Sequence, residues 1–190
     1  DGDSGNITPA TIAPVLTGRT RAIIPVHLAG WPCDMDGISA LAHVHNLKIV
    51  EDCAQAHGAR IGERSVGSIG DVAAWSFCQD KIMTTGGEGG MVTTDDPALW
   101  SAMWSYKDHG KSWEAVYERQ HPPGFRFVHN SFGTNWRMLE IQAALGRIQL
   151  RHMESWTKRR TAIASQIVNT LETFADAVRV PLPPTTVRHA

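Results

Sequence analysis

The 190-residue chain is 42% hydrophobic and 19% charged, with a formal net charge of −1. That composition excludes a disordered polyelectrolyte and supports one domain with a real core, and the near-zero charge argues against a nucleic-acid binder or a polybasic membrane anchor. No apolar run reaches the roughly 18–20 residues that span a bilayer, and no signal-type h-region stands near the start, so the expectation is a cytoplasmic protein without membrane or nucleic-acid partners.

Residues 21–28 (RAIIPVHL) are short, apolar and β-branched and follow a turn at Thr17-Gly18. They read as a buried strand, which Pro25 divides into two short pieces by removing a ladder donor. After the break at Gly30-Trp31-Pro32, Asp34 or Asp36 caps a helix in which Ile38, Leu41, Ala42 and His45 recur at helical spacing, and Asn46 stops it. Lys48 to Asp52 is the next strand and ends on two acids. Strand, helix, strand is a βαβ unit and implies a parallel sheet. Sites in such sheets lie at the carboxyl ends of strands, where Asp52 stands.

Residues 71–77 (DVAAWSF) form a further strand, followed by the polar Cys78-Gln79-Asp80-Lys81 and a glycine cluster at Gly86, Gly87, Gly89 and Gly90. Met91 to Thr94 is a short strand. Asp95 or Asp96 then caps a helix with Pro97 in its first turn, running to about Lys107. Residues 110–133 lack periodicity. From Trp136 the helical signal returns, with Met138, Ile141, Leu145 and Ile148 on one face, and a second helix over about 154–177 carries Trp156, Ile163, Ile167, Leu171 and Phe174. Residues 183–190 show no helix or strand signal. The chain opens on Asp1 rather than Met, so its ends read as flexible or as part of a longer protein.

Cys33, Cys53 and Cys78 are odd in number and lack Cys-x-x-Cys spacing, so they read as buried thiols of a reducing compartment. Of the nine histidines only His43 and His45 are close, and in a helix they point about 200° apart, so no metal site is expected. The tryptophans read as packing residues.

Three features carry chemistry. Asp52 is either a solvated strand-end acid or an acid aimed into a crevice. Lys81 follows an apolar strand and precedes a glycine cluster, a setting in which a lysine can lose its proton and attack a carbonyl. The glycine cluster lacks both Walker and Rossmann spacing, which excludes those two nucleotide folds. An acid, a lysine and a hydroxyl five residues before the lysine (Ser76) are the parts that pyridoxal phosphate requires: a pyridinium partner, a Schiff-base amine and a phosphate donor.

The strings VEDCAQAHGA (50–59), VGSIGDVAAWSFCQDK (66–81) and GEGG (87–90) closely resemble the DegT/DnrJ/EryC1/StrS family of sugar aminotransferases, as do residues 22–38 and 131–150. The resemblance implies an α/β fold, a three-layer αβα arrangement with a mostly parallel sheet, of the aspartate aminotransferase superfamily. Residues 1–150 would be part of the large cofactor-binding domain, and 151–190 a helical segment leading toward a small carboxyl-terminal domain. It implies that Lys81 forms the internal aldimine with pyridoxal 5′-phosphate, Asp52 partners the pyridine nitrogen, Gln55 lies beside the ring and its phenolic oxygen, and Ser76 binds the phosphate. Asn135, in the G-x-N-x-R-M pattern, would reach the phosphate of a neighbouring subunit, which implies a homodimer with shared sites. His109 would lie near the substrate entrance, and the loop over 111–130, longer and more aromatic than the family core, would shape sugar specificity. Family members also carry an amino-terminal phosphate-gripping loop that this chain lacks.

The function implied is transfer of an amino group from glutamate or glutamine to a keto sugar, expected to be nucleotide-linked. Two alternatives stand beside it. One is a non-catalytic sensor or binding module that keeps the fold. The other is the family's sugar dehydratase branch, which replaces the lysine with histidine and is opposed by Lys81.

Overall fold

The computed structural model describes residues 1–124 and 129–190. Helix α1 (Pro9–Ile12) opens on Thr8, whose hydroxyl and that of Thr11 cap it reciprocally. Strand β1 (Ala22–Ile23) leads to α2 (Met35–Val44), whose N-cap Asp34 accepts a hydrogen bond from Gly37 N–H at 3.0 Å. Strand β2 (Lys48–Asp52) follows, then a hairpin of β3 (Arg60–Ile61) and β4 (Arg64–Ser65), then β5 (Val72–Ser76) and β6 (Gly90–Thr93). Helices α3 (Pro97–Lys107), α4 (Glu140–Leu150) and α5 (Met153–Glu172) precede a last strand, β7 (Val187–Arg188).

The main sheet has the order β1-β2-β5-β6. β1, β2 and β5 are parallel, and β6 returns antiparallel to β5, giving the mixed α/β fold with a mostly parallel sheet that the βαβ pattern requires. α2 covers one face, burying Met35, Ile38 and Ala42 against Ile12, Ile23 and Ile49. A second core packs Cys53, Ala56, Ala59 and Val66 on Ala73, and a third brings Met153 of α5 against Phe77 and Met83. Asp71 ties the entrances of the two central strands, accepting from Lys48 Nζ at 2.6 Å and Ile49 N–H at 2.9 Å.

The strand expected over 21–28 is two pieces, as Pro25 demands: β1, then a single parallel bridge from Val26 to Asp52. Residues 183–190, without a local signal, nevertheless pair: Arg60 faces Arg188 and Ile61 faces Val187, and Ala190 N–H donates to Gly30 O. A two-residue strand is made by its partner rather than by its own propensity. α4 begins at Glu140, later than Trp136, because Trp136 N–H is taken by Lys107 O; α5 ends at Glu172, before Ala177. The apolar stripes of these helices are not core faces here. Ile141, Leu145 and Ile148 are exposed, as are Ile163, Ile167 and Phe174, and Met138 and Trp156 alone among the stripes pack on the third core. The aperiodic 110–133 stretch contains one wide helical turn, Glu114–Glu118. Beside that turn, Trp113 packs against Trp100 (5.4 Å between centroids), Trp104 (5.2 Å) and Tyr117 (4.2 Å), the packing role expected of the tryptophans. Part of the 111–130 loop, residues 125–128, lies outside the described residues.

Ile38 is fully buried at the centre of the first core. In the full-length protein, Ile38→Val should cost about 0.5–1.5 kcal/mol and Ile38→Ala about 2–5 kcal/mol, read as graded losses in thermal or denaturant midpoint.

Candidate active site

The candidate site starts from the register of β2 on β5, in which Glu51 faces Ala73 and Asp52 faces Ala74. Side chains alternate along a strand, so Glu51 and Ala73 share the buried face while Asp52, Ala74 and Ser76 share the other. Ala74 is exposed, and Asp52 and Ser76 are half-buried. An acid and a hydroxyl thus flank a small, flat patch at the carboxyl ends of two parallel strands. The main chain of Asp52 is gripped from both neighbours: its N–H donates to Pro25 O at 2.9 Å, its C=O accepts from His27 N–H at 3.1 Å, and Cys53 N–H donates to Ala74 O at 2.9 Å. Asp52 Oδ1 accepts from Ala54 N–H at 3.0 Å, the Asx turn that ends the strand. Gln55 is exposed, and its Oε1 accepts from Ala29 N–H at 2.6 Å, which engages the amide oxygen and not its NH₂.

Lys81 lies on the turn that leaves β5. Ser76 Oγ accepts from Cys78 N–H at 3.3 Å, and Lys81 N–H donates to Cys78 O at 3.1 Å, so the hydroxyl and the lysine belong to one closed loop. The Lys81 side chain is 18% exposed, with Nζ 3.4 Å from Asp80 Oδ1. That ammonium, with the Cys78 side chain, holds the Asp80 carboxyl below its ordinary range. The glycine cluster closes the loop from beneath: Phe77 N–H donates to Gly89 O, and a Cβ at Gly89, whose φ is +156°, would lie 2.1 Å from Thr85 Oγ1. α4 is pinned to this loop through Gln142 Nε2, which donates to Glu88 O at 2.8 Å, and Gln149 Oε1, which accepts from Thr84 N–H at 2.8 Å.

Under the edge sits His57, buried 5.5 Å from the Trp75 ring and 6.0 Å from Phe77. Burial pushes its pKa down; the nearby Ser76 main chain opposes this, and the Lys81 charge adds to it. Both ring nitrogens lack a hydrogen-bond partner among the described residues. An imidazole in that setting stays neutral.

Asn135 and His109 form a second group, at the carboxyl end of α3. His109 N–H donates to Thr134 O, Thr134 N–H donates to Tyr106 O, and Asn135 bridges Asp108. Asn135 is exposed. His109 takes the left-handed conformation (φ 60°), and its carbonyl is hydrogen-bonded to His129 Nδ1 at 2.7 Å. Asp108 is the hub of this unit, with Arg137 Nη1 at 2.5 Å and Lys111 Nζ at 3.3 Å. Burial raises its pKa, but these cations more than offset that and hold the carboxyl below its ordinary range. The fold therefore brings Asp52, Gln55, Ser76 and Lys81 to one sheet edge, and His109 and Asn135 to a separate unit.

Glu51 and Asp108 were not among the sequence candidates. The alternation in KIVED was the available signal for Glu51, which shares its parity with Ile49 and so faces inward. The flanking Lys107 and Lys111 were the local signal for Asp108, but its Arg137 partner lies 29 residues away. His27, Glu51 and Cys53 place donor atoms within 4.8 Å of one another. Both Glu51 oxygens and both His27 nitrogens are already hydrogen-bonded, and burial pushes the Cys53 thiol up, so the cluster is a hydrogen-bond network rather than a ligand set.

A lysine, an acid and a hydroxyl thus lie at the carboxyl edge of a mostly parallel sheet, the place where sites of open α/β proteins are found. The chain matches the DegT/DnrJ/EryC1/StrS aminotransferase family over residues 1–190 and belongs to it. It superposes on an aminotransferase from Psychrobacter cryohalolentis with a TM-score of 0.96 and 60% identity, covering 100% of this chain and 50% of that one. It is 41% identical over 169 residues to the dTDP-3-amino-3,4,6-trideoxy-alpha-D-glucose transaminase of Streptomyces venezuelae, covering 89% of this chain and 41% of that protein. It is 40% identical over 158 residues to a UDP-N-acetyl-3-dehydro-alpha-D-glucosamine 3-aminotransferase of Acidithiobacillus ferrooxidans, covering 83% and 40% respectively. The chain thus spans less than half the length of these curated relatives. Among the described residues no helix is long and apolar enough to cross a membrane.

Because the Asp108 carboxyl titrates below its unfolded value, its contribution is present above the ordinary carboxylate range and is lost as pH falls through the depressed pKa. Asp108→Asn in the full-length protein should cost on the order of 2 kcal/mol near neutral pH. The gap from wild type should close as pH is lowered below that pKa, in a series of thermal midpoints.

Proposed function

We propose that this chain is the cofactor-bearing part of a pyridoxal-phosphate-dependent aminotransferase that moves an amino group from an amino-acid donor, glutamate or glutamine, to a nucleotide-linked keto sugar. The observation that carries this reading is the placement of Asp52, Ala74 and Ser76 on one open face, with Lys81 on the turn that follows. A flat pyridine ring would suit that patch: exposed Ala74 leaves room for it, Asp52 and Ser76 share its face, and the NH₂ of exposed Gln55 would be a donor. Pyridoxal phosphate, when bound, supplies an aldehyde that exchanges amines and a ring that draws electron density from the substrate carbon.

This chain's residues supply the rest. Lys81 would hold the aldehyde carbon, release it to the incoming amine, and carry the proton at Nζ between substrate and cofactor carbons. Asp52 would keep the ring nitrogen protonated, Ser76 would donate to the phosphate, and Gln55 would donate to the phenolic oxygen. Asn135 would reach the phosphate site of a second copy, and His109 would border the sugar entrance. The nucleotide-linked sugar is supported by the names of the two curated relatives, which specify dTDP- and UDP-sugars. The retained Lys81 favours amine transfer over dehydration.

In the full-length protein with pyridoxal phosphate, glutamate or glutamine alone should convert the bound cofactor to its aminated form, seen as loss of the visible absorption band. A panel of nucleotide keto sugars should then restore it. Borohydride reduction followed by peptide mapping should place the pyridoxyl group on Lys81, and Lys81→Ala should abolish both trapping and multiple turnover. Label on Lys48 or Lys107 would overturn the reading. Asp52→Asn should retain cofactor while slowing turnover by several orders of magnitude, the consequence of a buried charge pair losing one partner at about 3–5 kcal/mol. Near-normal turnover in that variant would make Asp52 a solvated strand-end acid.

A further inference from the structure

Glu51 and His27 are both 0% exposed, and Glu51 lies on the face of β2 opposite Asp52. Glu51 Oε2 meets His27 Nε2 at 3.1 Å and accepts from Gly67 N–H at 2.7 Å; Oε1 accepts from Ile69 N–H at 2.8 Å and Gly70 N–H at 2.6 Å. His27 Nδ1 accepts from Cys33 N–H at 3.0 Å, so the ring proton sits on Nε2 and is donated to Glu51. Burial raises the Glu51 pKa, but the His27 and main-chain donors outweigh it and keep the carboxyl ionised. The turn that supplies those donors is built for close approach. Gly67 has φ +80°, a Cβ there would lie 2.4 Å from the Trp75 ring, and one at Gly70 would lie 2.9 Å from Ile49.

We propose that the His27–Glu51 pair is a positioning device for the cofactor end of the site. On one side it fixes residues 25–29, whose main chain grips Asp52 through Pro25 and His27 and whose Ala29 N–H holds Gln55. On the other it fixes residues 67–70, the lead-in to β5 and so to Ser76. One buried anion therefore sets the spacing of the three side chains that would meet the ring, its phenolic oxygen and the phosphate. The inference rests on the pyridoxal-phosphate reading of that face.

The test uses three amide substitutions in the full-length protein. His27→Gln keeps an N–H donor toward Glu51, whereas His27→Asn keeps only the acceptor toward Cys33; Glu51→Gln is the complementary change. Pyridoxal phosphate affinity is measured by quenching of tryptophan fluorescence in the apo-protein, the position of the bound cofactor's visible band by absorbance, and the apo thermal midpoint by circular dichroism. His27→Asn and Glu51→Gln should weaken cofactor binding by about tenfold and move the band, while His27→Gln stays within about threefold of wild type. Equal behaviour of the two His27 variants, or a lowered thermal midpoint with unchanged affinity and band, would overturn the proposal. If Glu51→Gln does not fold, the His27 pair decides alone. Failure of the wild-type protein to bind pyridoxal phosphate would instead overturn the functional reading, which separates the two.

Discussion

One buried carboxylate governs the carboxyl edge of this sheet. Removing an ion from water costs several kcal/mol even after relaxation, and Glu51 is tolerated because four N–H donors converge on it. Those donors come from segments on both sides of β2, so satisfying one charge draws the 25–33 segment and the 66–70 turn against the same strand. Alternation does the rest. With Glu51 inward, Asp52 has to face the open side beside Ala74, and Ser76 follows two residues on along β5. The functional face is in this sense the reverse side of a structural constraint.

The candidate residues fall into two units. The sheet edge offers an amine, an acid, a hydroxyl and an amide within the span from Asp52 to Lys81. The carboxyl end of α3, organised on Asp108, offers Asn135 and His109. α4 meets the glycine-rich loop through polar contacts, the side chains of Gln142 and Gln149 bonding its main chain at Glu88 and Thr84. The stripes of α4 and α5 are largely uncovered, with Ile141, Leu145, Ile163 and Ile167 exposed. The glycine cluster, set aside as a nucleotide motif for its spacing, acts as the floor of the Lys81 loop, with positive φ at Gly86, Gly87 and Gly89.

Much of the fold was legible locally. β2, β5, β6 and helices α2 and α3 appear within a residue or two of where period, caps and breakers placed them, including the Asp34 and Asp96 caps and the Pro25 interruption. The site was legible in part. Lys81, Asp52, Gln55, Ser76, His109 and Asn135 were nameable from motif and resemblance, and the first four were grouped round one cofactor, but the separate unit that holds His109 and Asn135 on Asp108 was not. Glu51 was not singled out, because its partners, His27 and the 67–70 turn, are 24 and 16 to 19 residues away. The β3–β4–β7 sheet was missed for a related reason. Its strands are two residues long, and β7 exists only because Arg60 and Ile61 are there to pair with it.

The sequence by itself determined which segments alternate with period two, which turn with period 3.6, and which side chains could do amine, acid or hydroxyl chemistry, because these depend on near neighbours and on functional groups. Tertiary structure decided which of two adjacent acids is buried and which is open, since that depends on which strand lies alongside and which donors reach the carboxylate. It also decided that the stripes of α4 and α5 remain uncovered in this chain and that the last residues become a strand. Burial and pairing are properties of what lies across the gap, and residues far apart in sequence meet only when the chain has folded.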